Sequence, residues 1–253
     1  MTVRIEKRDR VWTVIHSRPE TRNAMDPESA EALLRAFKSF DADPQAAAAV
    51  LWGEGGAFCA GYDLKSISSG LEVANLDRGP MGPTRLELDK PVFAAIAGPA
   101  VAGGFELALW CDVRVMEASA YFGVYCRRWG VPLVDGGTVR LPRTVGTGRA
   151  LELILTGRKL PAEEALRIGA CEHVVPDGSA RAFAEAMAQE IARFPQGCLR
   201  ADRRSVYLQQ GLPLAEAMQR EWSNGTPVLA SEAIEGARRF AGGRGRHGDF
   251  SDL

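Results

Sequence analysis

Twice in the first half of the chain a short apolar strand runs into a glycine-rich turn and then into a helix start. Ala48-Val50-Leu51-Trp52 ends at Gly53 and leads through Glu54-Gly55-Gly56 into Ala60-Gly61, with Asp63 placed to cap a helix. Val92-Phe93-Ala94-Ala95-Ile96 meets a turn at Gly98-Pro99 and then a helix over Gly103–Cys111, rich in Leu and Ala. The first reads as a short buried strand, and the alternation of such strands with helices implies an α/β core.

The rest of the chain extends this order. Val3–Lys7 and Val11–Ile15 alternate apolar and polar residues around Arg8-Asp9-Arg10 and read as a hairpin. Arg18-Pro19-Glu20 breaks the second strand, and Asp26-Pro27 supplies an N-cap with proline at the first helical position of a helix to about Phe40. Strands are expected at Asp112–Met116, Ala120–Phe122 and Cys171–Val175, and helices at Thr138–Val145, Gly148–Leu155, Ala162–Ile168 and Ser179–Phe194. No sequence repeat underlies this structural one. After Phe194-Pro195 the strands stop, and Leu199–Gln209, Pro213–Ser223 and Ser231–Phe240 read as three amphipathic helices. We therefore divide the chain into a core, residues 1–194, and a C-terminal helical segment, residues 195–253, that packs on the core or on a neighbouring subunit. The Gly/Arg-rich tail Gly242–Gly248 and the Gly/Pro-rich Asp77–Thr84 loop are expected to be mobile.

Composition excludes several classes. Lys plus Arg number 31 against 32 Asp plus Glu, which argues against a nucleic-acid partner. Local basic pairs such as Arg127-Arg128 and Arg203-Arg204 read as solvated helix faces, or as a clamp for an anionic nucleotide carrier. The 5 cysteines are irregularly spaced, without a Cys-x-x-Cys pair or a metal-like histidine pattern. Neither a metal site nor a disulfide framework is expected, and the cysteines read as small buried apolar residues. Apolar runs such as Val92–Ala102 are too short and too interrupted to span a bilayer, and the charged, alternating N-terminus has no apolar signal region. The expectation is a cytoplasmic protein with no membrane partner.

Two segments carry candidate chemistry. Gly103-Gly104 opens a helix directly after a strand, so backbone N–H groups there are unpaired and lie at the positive end of the helix dipole, suited to an anion or a developing oxyanion. Glu106 lies one turn in, on the side of Gly103. Phe58-Cys59-Ala60-Gly61-Tyr62-Asp63-Leu64-Lys65 has the same character, and the N–H of Ala60 is a second donor that could converge with that of Gly103. Read as packing alone, Gly-Gly is a bend for close helix contact and Glu106 an ordinary first-turn acid.

The same residues resemble the crotonase (enoyl-CoA hydratase/isomerase) superfamily. Its Ala-Gly-x-Asp-[Leu/Ile] segment is matched by Ala60–Leu64, and its second segment by Ala102–Ala108 with Cys111-Asp112. The likeness extends through Arg18-Pro19-Glu20, Arg22–Met25, Phe122-Gly123, Gly136-Gly137-Thr138, Leu141-Pro142-Arg143, Leu155-Thr156-Gly157 and Val174-Val175-Pro176. The resemblance implies a superhelix of repeated ββα units with C-terminal helices that build trimers, often paired into hexamers. It implies acyl-CoA thioester substrates of lipid metabolism, with coenzyme A as part of the substrate and no separate cofactor. It places the thioester oxygen at the N–H groups of Ala60 and Gly103. It assigns carrier binding to Arg22, Ala24, Ala60, Gly61, Tyr62, Asp63 and Gly103, with a basic residue near the C-terminus of a neighbouring subunit.

At one position the chain departs from the family. Hydratases of this kind carry two glutamates around a water; Glu106 occupies the first position and Cys126 the second. A neutral thiol does not orient water as a carboxylate does. Cys126 is then a bystander, with Glu106 doing the acid/base work alone, or a nucleophile activated by Arg127 and Arg128, or Asp135 supplies the missing carboxylate. Aligned on Gly137-Thr138, Asp135 falls where the dienoyl-CoA isomerases carry a catalytic aspartate and close to the nucleophile of the chlorobenzoyl-CoA dehalogenases; as turn chemistry, Asp-Gly needs no such role. A dehalogenase would also want a histidine within Leu71–Asp89, and there is none. The leading expectation is an enoyl-CoA hydratase-like lyase using Glu106. The alternatives are isomerase-like proton transfer by Asp135 and Glu106, and a non-catalytic acyl-CoA binder.

Overall fold

The N-terminal hairpin forms as its alternation predicts: β1 (Val3–Arg8) lies antiparallel to β2 (Val11–His16). The computed structural model describes residues 2–68, 70 and 79–245. Asp77 of the expected Asp77–Thr84 loop and His247 of the expected tail lie outside the described residues. Helix α1 (Pro27–Ala42) starts where expected, with the Asp26 carboxylate accepting from Ser29 N at 2.8 Å. Then come β3 (Ala48–Gly53), a short α2 (Leu64–Ser68), β4 (Val92–Ile96), β5 (Pro99–Val101) and α3 (Gly103–Trp110). Next are β6 (Val113–Glu117), β7 (Tyr121–Gly123), α4 (Gly137–Val145), α5 (Thr147–Thr156), β8 (Leu160–Pro161), α6 (Ala162–Ile168), β9 (His173–Val175) and α7 (Ala180–Ile191).

A main sheet runs in the order β1-β2-β3-β4-β6-β9, parallel from β2 onward; a smaller one runs β5-β7-β8. The central strands β2, β3, β4 and β6 are buried on both faces, while the edge strand β1 is largely exposed. Val14, Leu51, Ala94, Ile96 and Met116 face the larger core under α1 and α3, while Val50, Phe93, Ala95 and Val115 face Ala180, Ala184 and Ala188 of α7. Alanines there let α7 sit close on the sheet. Strands β4 and β6 are each followed within a few residues by a strand of the small sheet, then by helical turns, which is the expected ββα order.

Three local expectations are corrected. Gly98-Pro99 is expected as a plain turn, but Pro99–Val101 is a strand: Pro99 sits at its first residue, where no ladder N–H is needed, and it pairs with β7. Val124 is followed by a 3-10 turn over Tyr125–Trp129 that periodicity does not announce. The C-terminal segment is α8 (Gln196–Leu208) followed by α9 (Leu214–Val228), a π-helical stretch at Leu229–Ala233 and α10 (Ile234–Ala241). The last two expected helices are thus one continuous rod, because neither Pro227 nor the serine at 231 stops it. Asp112 fastens α8 to the core: its carboxylate accepts from Val92 N at 2.8 Å, Arg203 Nε at 2.9 Å and Tyr207 Oη at 2.6 Å. Among the described residues no helix is long and apolar enough to cross a membrane.

Candidate active site

Sheet pairing brings the two glycine-bearing loops together. Cys59 forms an isolated parallel bridge with Ala100, its N–H donating to Pro99 O at 3.1 Å and its carbonyl accepting from Val101 N at 3.0 Å. Ala60-Gly61 therefore lies directly against Ala102-Gly103. A Cβ added at Gly104 would lie 2.2 Å from Cys59 O, and one at Gly61 would lie 3.3 Å from Gly103 N and 2.8 Å from Ala102 Cβ. Glycine is required at both positions because the loops touch through their backbones. Ala102 between them has φ 53° and ψ −125°, a costly conformation for alanine that the surrounding contacts impose. The two loops meet as expected, but the N–H of Ala60 is already engaged and does not converge with that of Gly103 as expected.

The donors differ in their engagement. Gly103 and Gly104 open α3, where the first N–H groups have no intrahelical acceptor. The N–H of Ala60 donates to the carbonyl of Arg22 at 3.0 Å. The Arg18–Met25 loop thus touches the cradle from behind. Arg22 and Asn23 are held at φ 53° and 56°, and the buried Asn23 side chain donates to Ala57 O at 2.6 Å and Glu54 O at 2.8 Å. Asp63 caps α2 through Lys65 N at 3.0 Å and pairs with Arg18, whose guanidinium also donates to Ala24 O at 2.5 Å.

In front of the cradle is a cavity of about 710 Å³. Ala60, Tyr62, Gly103, Glu106, Cys126 and Asp135 all line it; Arg22, Ala24, Gly61 and Asp63 do not, although they hold the segments that do. The remaining lining is largely apolar, with Leu34, Met81, Tyr125, Trp129 and Val131 prominent.

Glu106 is buried, and its Oε1 accepts from Asp135 N at 2.9 Å and Gly137 N at 2.7 Å. Burial pushes its carboxyl up to about 7, the charge of Asp135 adds to this, and the two N–H donors hold it back. Cys126, at the end of the small sheet, is also buried, and burial raises its thiol, with the Glu106 charge adding. This corrects the expectation that Arg127 and Arg128 could activate it: both are exposed, and the pull of Arg127 is outweighed by desolvation. Asp135 is buried, its carboxyl raised by burial, and its Oδ1 accepts from Thr84 Oγ1 at 2.5 Å and Met81 N at 3.1 Å. Sequence reasoning missed Thr84, Met81 and Arg140, which frame Asp135; only the Gly/Pro-rich run around Thr84 hinted that this stretch bordered a pocket. Cys59, Cys111 and Cys171 are buried free thiols, while Cys198 is exposed.

Taken together, the arrangement offers helix-start N–H donors beside one buried carboxyl whose proton is exchangeable near neutral pH, in a mostly apolar cavity. That suits stabilisation of a developing oxyanion with proton transfer next to it.

Comparison with known proteins agrees with this geometry. The sequence profile of the enoyl-CoA hydratase/isomerase family matches residues 6–246. Enoyl-CoA hydratase EchA19 of Mycobacterium tuberculosis is 36% identical over 245 residues, covering 94% of this chain and 92% of that protein. The (E)-benzylidenesuccinyl-CoA hydratase of Thauera aromatica is 34% identical over 219 residues, with 85% of each chain covered. The crystal structure of enoyl-CoA hydratase EchA1 from Mycobacterium marinum superposes with a TM-score of 0.91 at 34% identity, covering 96% of each chain. With sequence and fold matched over nearly its whole length, the chain belongs to the enoyl-CoA hydratase/isomerase family, the crotonase-fold enzymes.

Proposed function

We propose that this chain is an enoyl-CoA hydratase-type lyase in which Glu106 is the sole acid/base. The observation that carries the reading is the placement of Glu106: buried, held by two backbone N–H groups, and lining the same cavity as the unpaired start of α3. The thioester oxygen of an α,β-unsaturated acyl-CoA lies at the Gly103 N–H, at the start of α3. Ionised Glu106 takes a proton from water as its oxygen bonds to the β-carbon, and the π electrons move onto the thioester oxygen as an enolate. Protonated Glu106 then returns the proton to the α-carbon as the enolate collapses. Each cradle donor contributes about 10²–10³ in rate. Cys126 stays a neutral thiol and a bystander. Coenzyme A is part of the substrate, and no other cofactor enters.

A second reading rests on Asp135, which lines the same cavity and has a raised carboxyl: proton transfer shared between Asp135 and Glu106, giving isomerisation. Steady-state turnover of crotonyl-CoA and longer enoyl-CoAs separates them. Glu106→Gln is expected to lower hydration by about 10²–10⁴-fold, and an unchanged rate would sink the lyase reading. A gain of hydration in Cys126→Glu would show that the thiol limits the rate. Isomer products without hydration support the second reading, and tight acyl-CoA binding without turnover supports a non-catalytic binder. We further propose self-association through the C-terminal helices into trimers or hexamers. Support comes from Leu214, Met218 and Trp222, four residues apart on α9 and 78%, 58% and 65% exposed.

A further inference from the structure

A buried carboxylate joins one wall of the cavity to the other, beside an Arg85 Nη2 bond to Val134 O at 2.8 Å. Asp135 Oδ1 accepts from Met81 N at 3.1 Å and from Thr84 Oγ1 at 2.5 Å, and all three residues are buried. Arg140 clasps the same junction, its Nη1 donating to Asp135 O at 2.9 Å and its Nη2 to Thr84 O at 2.7 Å. The fit is close: a Cβ at Gly79 would lie 2.1 Å from Asp135 Oδ1 and 2.2 Å from Thr84 Oγ1. On its other side the Asp135 N–H donates to Glu106 Oε1 at 2.9 Å. Asp135 therefore joins the acid/base to the segment Gly79–Arg85. That segment lends Pro80 and Met81 to the cavity, which Val131, Pro132 and Val134 also line. Met81 also packs beside the cradle, since a Cβ on Gly103 would meet its Sδ at 2.5 Å.

We propose that Asp135 is a positioning residue whose carboxylate latches Gly79–Arg85 against the cavity, and that this latch grips the apolar part of the acyl chain beyond the thioester. The inference rests on the reading that an enoyl-CoA thioester occupies the cavity. The lining there is apolar, so the chain gripped is hydrocarbon, and each buried CH₂ is worth about fourfold in affinity. Asp135 Oδ1 is committed to the two latch donors, which is what a tether does.

The test compares Asp135→Asn, Asp135→Ala and Thr84→Val with the native enzyme on crotonyl-CoA and on a ten-carbon enoyl-CoA. Asparagine keeps an acceptor oxygen for Met81 N and Thr84 Oγ1, so Asp135→Asn is expected to stay within about threefold of native on both substrates. Asp135→Ala and Thr84→Val are expected to raise KM for the ten-carbon substrate by about tenfold and for crotonyl-CoA by less than about twofold. Amide hydrogen exchange, read by mass spectrometry, should rise across residues 79–86 in the latter two variants and remain native elsewhere. The latch is overturned if Asp135→Asn is as damaging to kcat as Asp135→Ala while Thr84→Val is silent, or if KM changes equally for both chain lengths. If the native chain turns over neither substrate, the hydratase reading fails; native exchange across 79–86 in Thr84→Val overturns the latch independently of activity.

Discussion

An acid in the first turn of a helix is ordinarily solvated and ionised at neutral pH; Glu106 is instead sealed beneath the cradle, and its two backbone donors offset only part of the desolvation. Its carboxyl, held up to about 7, titrates within the working range of an enzyme. Because the base form starts the proposed reaction, kcat/KM for hydration is expected to rise with pH through about 7, and a pH–rate profile of Glu106→Gln should lack that limb. A second buried residue makes an opposite contribution, to stability. His16 is buried, neither ring nitrogen has a hydrogen-bond partner among the described residues, and burial, helped by the Arg18 charge, lowers it from 6.5 to about 4. The unfolded chain then binds the extra proton first, so stability is full above pH 6.5 and falls as pH drops toward about 4. The loss amounts to about 3 kcal/mol. Urea midpoints measured at pH 7.5 and 4.5 should therefore converge more closely in His16→Met than in the native chain. An equal pH dependence in both would exclude His16 as its source.

At the scale of elements, the site exists because two strand-to-helix turns are pressed together by the Cys59–Ala100 bridge. The position most exposed to this is Gly104, where a methyl group would meet Cys59 O at 2.2 Å. Gly104→Ala must part the loops or shift α3, so kcat is expected to fall by at least about 10²-fold. Circular dichroism should stay native, since α3 itself tolerates alanine. An active Gly104→Ala enzyme would show that the cradle does not depend on this contact. Much of this level was readable beforehand: the hairpin, the Asp26-capped α1, strands β3 and β4, and the helix opening at Gly103 all follow from apolar periodicity, caps and glycines. The strand at Pro99–Val101 and the turn at Tyr125–Trp129 were not readable. Each spans only a few residues and owes its shape to its neighbours in the small sheet and the core rather than to a pattern of its own.

For the molecule as a whole, α9 carries a stripe of exposed apolar residues, while α8 is tied to the core by Arg203 and Tyr207 at Asp112. The proposed self-association gives the stripe a partner. Light scattering coupled to size exclusion is expected to show an assembly for the native chain and a shift toward monomer for Trp222→Glu. A monomeric native chain at micromolar concentration would remove the proposal. Residues and spacings by themselves determined the α/β class and the candidate groups, because periodicity, caps and glycine placement are properties of short stretches of chain; the family followed from the resemblance of the Ala60–Leu64 and Ala102–Ala108 segments. What Glu106, Cys126 and Asp135 face was decided only by tertiary structure. Thr84 and Asp135 are 51 residues apart and Glu106 and Gly137 are 31 apart. Such pairs meet only after the sheet register has brought their elements together. Only then does burial set which carboxyl holds its proton near neutrality, which thiol stays inert and which N–H is already engaged.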